Sequence, residues 1–103
     1  MIAVSGTAAL GPDGVATNAG DTYGQTKEAL ARALTAVEQL GGSLGDVIRT
    51  RMFLAPDADS REAARAHGEQ FRGADPASTM LTVHGFPPEG VLVEVEIDAV
   101  LEE

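Results

Sequence analysis

Apolar and polar residues alternate along the chain with two different periods, and the changes of period mark the elements. Residues 2–9 (IAVSGTAA) read as a short strand of small residues. GPDG at 11–14 is a turn, since Pro presets φ and Gly permits φ > 0; a short strand returns through 15–17. From Asp21 the period becomes helical. Tyr23, Thr26, Leu30, Ala33, Leu34, Val37 and Leu40 fall on one stripe, Asp21 is placed to cap the first turn, and Gly41-Gly42 stops the helix.

The period returns to two over 46–55. Ile48, Thr50, Met52 and Leu54 point one way, and Val47, Arg49, Arg51 and Phe53 the other. Asp59 followed by Glu62 predicts a capping box opening a second helix that runs to about Arg72, with Ala64, His67, Gly68 and Phe71 inward. Gly73 to Pro76 breaks it. Strands over 78–84 and 91–101, joined through FPPEG at 86–90 as an antiparallel hairpin, complete the chain. In the last of these, Val91, Val93, Val95, Ile97, Ala99 and Leu101 alternate with Leu92, Glu94, Glu96, Asp98 and Val100. The order β(β)–α–β–α–β–β predicts an α+β layer: a single mixed sheet with both helices on one face.

That arrangement leaves the second sheet face carrying Arg49, Arg51, Phe53, Glu94, Glu96 and Asp98, with Leu92 and Val100 among them. It is apolar for a free surface and charged for a core. A self-association face, with opposite charges paired across it, accounts for the mixture. A solvated face with a few tolerated hydrophobics is the alternative.

Composition narrows the function classes. The chain has 103 residues, 44% hydrophobic, which is one globular domain. Its net charge is −9, with one lysine and six arginines, none of them within residues 73–103. Such a chain lacks the basic footprint that phosphate neutralisation demands, so nucleic acid is not the expected partner. No apolar run approaches a membrane span, and MIAVSGTAAL has no secretory n- or h-region. Cysteine is absent, which removes disulfide, thiolate and Cys-based zinc chemistry and fits a reducing cytoplasm. His67 and His84 with the scattered carboxylates have no zinc-ligand spacing, so no metal is expected. His67 reads as a partly buried, hydrogen-bonded core histidine. GPDG is a turn and not a phosphate loop, because no GK[ST] follows.

Four segments, VSGTAAL, GDTYGQTKEALARALTAVEQLGGSLGDVIRTRMFL, PASTMLTV and LVEVEIDAV, resemble the RidA/YjgF family of small enamine/imine deaminases and relatives over about residues 4–101. The resemblance implies a chorismate-mutase-like protomer, assembly into a homotrimer through the sheet faces, and clefts between subunits. The reaction it implies is hydrolysis of reactive imines and enamines to keto acids and ammonia, with no cofactor or metal. In deaminating members an arginine follows Pro-Ala and clamps the substrate carboxylate; here Pro76-Ala77 is followed by Ser78. A glutamate on the last strand holds the attacking water, and Glu94 in LVEVE matches it. Helix two carries Ala64 where deaminating members have an asparagine, and a family tyrosine falls upstream of Met1, where the chain looks short by one strand.

The expectations are therefore Glu94 as the catalytic residue, and Ser78, Arg51, Ser5, Gly6, Met80, Glu96 and His84 as the small-molecule site. Arg51 either replaces the lost cation or pairs with Glu94, Glu96 or Asp98. Ser5-Gly6 either lines the pocket with backbone groups or serves close strand packing. The function this implies is binding of a small carboxylate or carbonyl metabolite with weak or divergent imine hydrolysis. A full 2-iminobutanoate/2-iminopropanoate deaminase and a non-enzymatic regulatory protein are the alternatives.

Overall fold

Asp21 opens the first helix as expected: its carboxylate accepts the Gly24 N–H at 2.9 Å. Helix α1 runs Thr22–Gln39 in a computed structural model that describes residues 1–101. It closes in a Schellman arrangement, with the Gly41 N–H donating to Glu38 O at 3.0 Å and the Gly42 N–H to Val37 O at 2.9 Å. Gly41 has φ +95°, which a side chain would strain. The buried stripe is Thr22, Gln25, Thr26, Ala29, Leu30, Ala33 and Val37. It is turned slightly from the predicted one. Tyr23 and Leu34 flank it, and Leu40, past the last helical residue, is 61% exposed.

Helix α2 runs Ser60–Gln70, and Asp59 caps it by accepting the Arg61 and Glu62 N–H groups at 3.1 and 3.2 Å. The other half of the predicted capping box does not form. The Asp59 N–H donates instead to Thr22 Oγ1 at 3.0 Å, and Glu62 accepts from Arg65. The starts of the two helices lie together, so α1 supplies the acceptor. The inward face is Ala63, Ala66 and Phe71, with His67 half-buried and Ala64 and Gly68 exposed. In the run Ala63-Ala64-Arg65-Ala66 the alanines are chemically alike, and only packing against α1 decides which of them go inside.

The strands are β1 (Ile2–Thr7), β2 (Val47–Leu54), β3 (Ala77–Thr82) and β4 (Val93–Ala99), and a short 3₁₀ turn, Leu44–Asp46, precedes β2. Among the described residues they form one sheet in the order β1-β4-β2-β3. β2 and β3 are parallel, and β4 is antiparallel to both β1 and β2. The expected β3–β4 hairpin is therefore replaced by a connection that passes the end of β2. There Val83 N–H donates to Leu54 O at 2.8 Å, and Ala55 N–H to Leu92 O at 2.9 Å. β2, with Thr50, Met52 and Leu54 all buried, takes an interior position; β3, exposed along its whole length, takes the edge. The predicted strand at 15–17 reduces to a single bridge between Leu10 and Ala16.

Two local irregularities change which residues face inward. The β2–β4 register slips between Val47 and Arg49, so Val47 is buried and Ile48, expected inward, is 49% exposed. Leu92, expected outward, precedes the pleated part of β4 and is only 7% exposed. The core lies between sheet and helices, with Leu30, Ala33, Val37, Met52, Leu54, Phe71, Val93, Val95 and Ile97 buried in one cluster.

Candidate functional site

The outward face of the sheet carries the charged set that the alternation predicts. Phe53 lies opposite Glu94 and Arg51 opposite Glu96 in the β2–β4 register. Arg51 Nη1 lies 3.3 Å from Asp98 and 3.6 Å from Glu96, so its cation is paired inside one chain. At this half-exposed site the pairing orders the side chain and adds little to stability.

Glu94 reaches across to β1. Between Val4 and Thr7 the β1–β4 register is irregular, and Ser5-Gly6 occupies that break. A Cβ built on Gly6 would stand 2.6 Å from Glu94 Oε1. The absent side chain is thus the space in which the Glu94 carboxylate lies. The structure brings Glu94 and Gly6 together on this face, with Ser5 beside Gly6 in the same register break and Glu96 two residues along from Glu94.

Ser78 lies elsewhere. It pairs in register with Thr50, whose side chain is fully buried on the helix side. Thr50 Oγ1 donates to Ser78 Oγ at 3.0 Å, and His67 Nε2 lies 2.8 Å from Thr50 Oγ1. Met80 shares this side, opposite Met52, and His84 is exposed beyond the end of β3. One protomer therefore gathers the predicted residues into two groups on opposite sheet faces: Glu94 with Ser5, Gly6, Glu96 and Arg51, and Ser78 with Met80.

His67 is half-buried, as expected of a satisfied core histidine. Its ring packs on Phe71 with centroids 4.6 Å apart. Burial pushes its pKa below the usual 6.5. The alternation turns Thr50 inward but does not include it among the site residues; the available signal was a hydroxyl at an inward strand position, which needs a partner once buried.

A second polar network lies where the helices meet. The Tyr23 hydroxyl donates to Glu69, Lys27 Nζ lies 3.5 Å from Glu69, and the Arg65 guanidinium stands 3.8 Å from the centre of the Tyr23 ring. The hydrogen bond between Tyr23 and Glu69 raises the pKa of the phenol and lowers that of the carboxyl. These residues join α1 to α2 and include none of the candidates.

A groove of about 310 Å³ lined by Ala31, Leu34, Thr35, Glu38, Leu44 and Gln70 lies on the helix layer, also apart from the candidates. Among the described residues, no three His, Cys, Asp or Glu side chains are placed to hold a metal ion. No described helix is long and apolar enough to cross a membrane.

The fold is that of the YjgF/RidA-type proteins that the sequence motifs resemble. A family model described as Endoribonuclease L-PSP matches residues 1–101, and the chain belongs to that family. An uncharacterised protein of Streptomyces coelicolor is 41% identical over 98 residues, which is 95% of this chain and 72% of that protein. Among solved structures, Rv2704 of Mycobacterium tuberculosis, a member of the YjgF/YER057c/UK114 family, superposes with a TM-score of 0.79 at 34% identity. It covers 96% of this chain and 77% of its own. YyfB of Yersinia pestis, a protein of unknown function of the conserved Rid family, gives 0.81 at 26% identity, covering 97% and 77%.

Proposed function

We propose that the chain works as a homotrimer joined through its outward sheet faces. In each cleft between subunits it binds a small carboxylate or carbonyl metabolite and hydrolyses imines or enamines weakly or with altered specificity. The observation that carries this reading is the placement of Glu94 in the space left by Gly6, on a sheet face where charged and apolar side chains mix and no described element covers them. A carboxylate held between two strands has its orientation limited before a ligand arrives, which favours a defined contact to a water molecule.

In the proposed chemistry, water adds to the electrophilic carbon of a C=N bond. Glu94 takes one water proton and passes it to the nitrogen, which gives a carbinolamine, and then moves the proton of the new hydroxyl to the same nitrogen. The C–N bond then breaks, ammonia leaves and a keto group remains. Ser5 and Gly6 present backbone groups beside Glu94, and Glu96 and Arg51 set the charge around it. Ser78, with Met80 and His84 along the exposed edge, comes from the neighbouring subunit.

Ser78 sets the expected rate. A guanidinium clamps a carboxylate with two charge-assisted hydrogen bonds, whereas a serine hydroxyl donates one and carries no charge. Losing that charge weakens capture of a 2-imino acid by about 2–4 kcal/mol. The test is hydrolysis of freshly generated 2-iminobutanoate and 2-iminopropanoate. Slow turnover by the wild type, faster turnover by Ser78→Arg and loss in Glu94→Gln support the reading. Wild-type turnover equal to that of an arginine-bearing relative contradicts the role given to Ser78, and unchanged turnover in Glu94→Gln removes Glu94 from the mechanism.

A further inference from the structure

Ser78, Thr50 and His67 form an unbroken chain of hydrogen bonds from the exposed edge strand to the half-buried face of α2, with links of 3.0 and 2.8 Å. The middle member is fully buried, so water cannot replace either partner. Each hydroxyl has one proton, which constrains the whole chain. If Nε2 of His67 carries a proton, it donates to Thr50, Thr50 donates to Ser78, and the Ser78 O–H is left over. If Nε2 is bare, Thr50 donates to it, Ser78 donates to Thr50, and Ser78 shows only lone pairs at the edge.

The geometry points to His67 as a positioning residue that acts through Thr50 to set the hydrogen-bonding sense of Ser78: with a proton on Nε2, Ser78 is a donor to a carboxylate or carbonyl oxygen of a bound ligand. The inference rests on the reading that Ser78 meets such a ligand, and it names the device that stands in for the absent guanidinium. A neutral imidazole divides between two tautomers, only one of which leaves Ser78 free to donate, whereas the imidazolium always does. An anionic ligand at Ser78 and a proton on His67 therefore reinforce each other, and the coupling is reciprocal.

Few charges compete for that proton. β2 turns Arg49 and Arg51 to the opposite face, and β3 has no charged residue between Ala77 and Thr82. On α2 itself, Arg65 pairs with Glu62 and Glu69, and Glu69 also binds Tyr23. Burial is what moves the His67 pKa, and it moves it down.

The experiment is an NMR titration of the His67 imidazole with and without pyruvate, in the wild type, Thr50→Val, Thr50→Ser and Ser78→Ala. Pyruvate is expected to raise the His67 pKa by about half a unit, equivalent to about threefold tighter binding to the imidazolium form. Thr50→Val and Ser78→Ala abolish that shift. Thr50→Ser, which keeps the hydroxyl, retains it. Pyruvate bound without moving His67, a shift that survives Ser78→Ala, or no pyruvate binding between pH 5 and 8 overturns the inference. A shift seen in a protein that hydrolyses no imine leaves the inference standing and refutes the hydrolase reading alone.

Discussion

Glu94 and Ser78 stand on opposite faces of the same sheet. Glu94 lies opposite Phe53 on the outward face, while Ser78 lies opposite Thr50, whose side chain is buried under the helices. A small ligand cannot touch both within one protomer. If one site uses the two, they come from different copies. Co-refolding Glu94→Gln with Ser78→Asp, each inactive alone, is expected to restore about a quarter of wild-type hydrolysis, the statistical share of clefts that draw both native residues. No recovery in verified mixed oligomers contradicts a shared cleft.

Gly6 tests the carboxylate from the other side. In Gly6→Ala the new Cβ would meet Glu94 Oε1 at 2.6 Å. That atom is the far end of a flexible side chain, so the carboxylate shifts and the strand persists. Stability is expected to change by less than about 1 kcal/mol, while hydrolysis falls at least about tenfold. Urea titration and the imine assay together check this; unchanged activity would mean that the Glu94 orientation is immaterial.

Gln25 is a costly polar residue to remove. It is fully buried, accepts the Leu92 N–H at 2.9 Å and donates to Gly90 O at 3.0 Å, tying the entry to β4 onto α1. Gln25→Ala leaves both backbone groups unpaired and opens a cavity. The expected loss is about 2–4 kcal/mol in urea unfolding.

Much of the architecture was legible because periodicity reports it directly. The Asp21 cap, the Gly41-Gly42 stop and the alternation through β4 need only local chemistry. Strand order was not legible. FPPEG has the composition of a hairpin turn, and that composition does not say that β2 inserts between β3 and β4. Gln25 was passed over because a polar residue counts against burial until its partners, Gly90 and Leu92, are known. The motif segments led to Glu94 and Ser78 by resemblance, but their separation onto two faces depends on the β2–β3 and β2–β4 registers. The Ser78–Thr50–His67 chain joins three elements distant in sequence, and no spacing rule finds it.

The His67 pKa predicts how stability varies with pH. Burial holds the folded value below the unfolded 6.5, so between the two values the unfolded chain binds more protons. The stabilising contribution is present above pH 6.5 and is lost as pH falls through the folded value. Wild-type stability should therefore decline over that window. His67→Gln, which can still donate to Thr50, should flatten the decline without removing the acid loss due to carboxylates. Urea midpoints at pH 7, 6 and 5 for both proteins supply the comparison; parallel slopes contradict the assignment to His67.

Sedimentation equilibrium addresses the shared cleft most directly. The account predicts a particle of about three times the 10.6 kDa chain mass at micromolar concentration. It also predicts that Phe53→Glu, which adds a charge beside Glu94 on the outward face, dissociates it. A wild-type particle of 10.6 kDa at that concentration would contradict the claim that the site forms between copies.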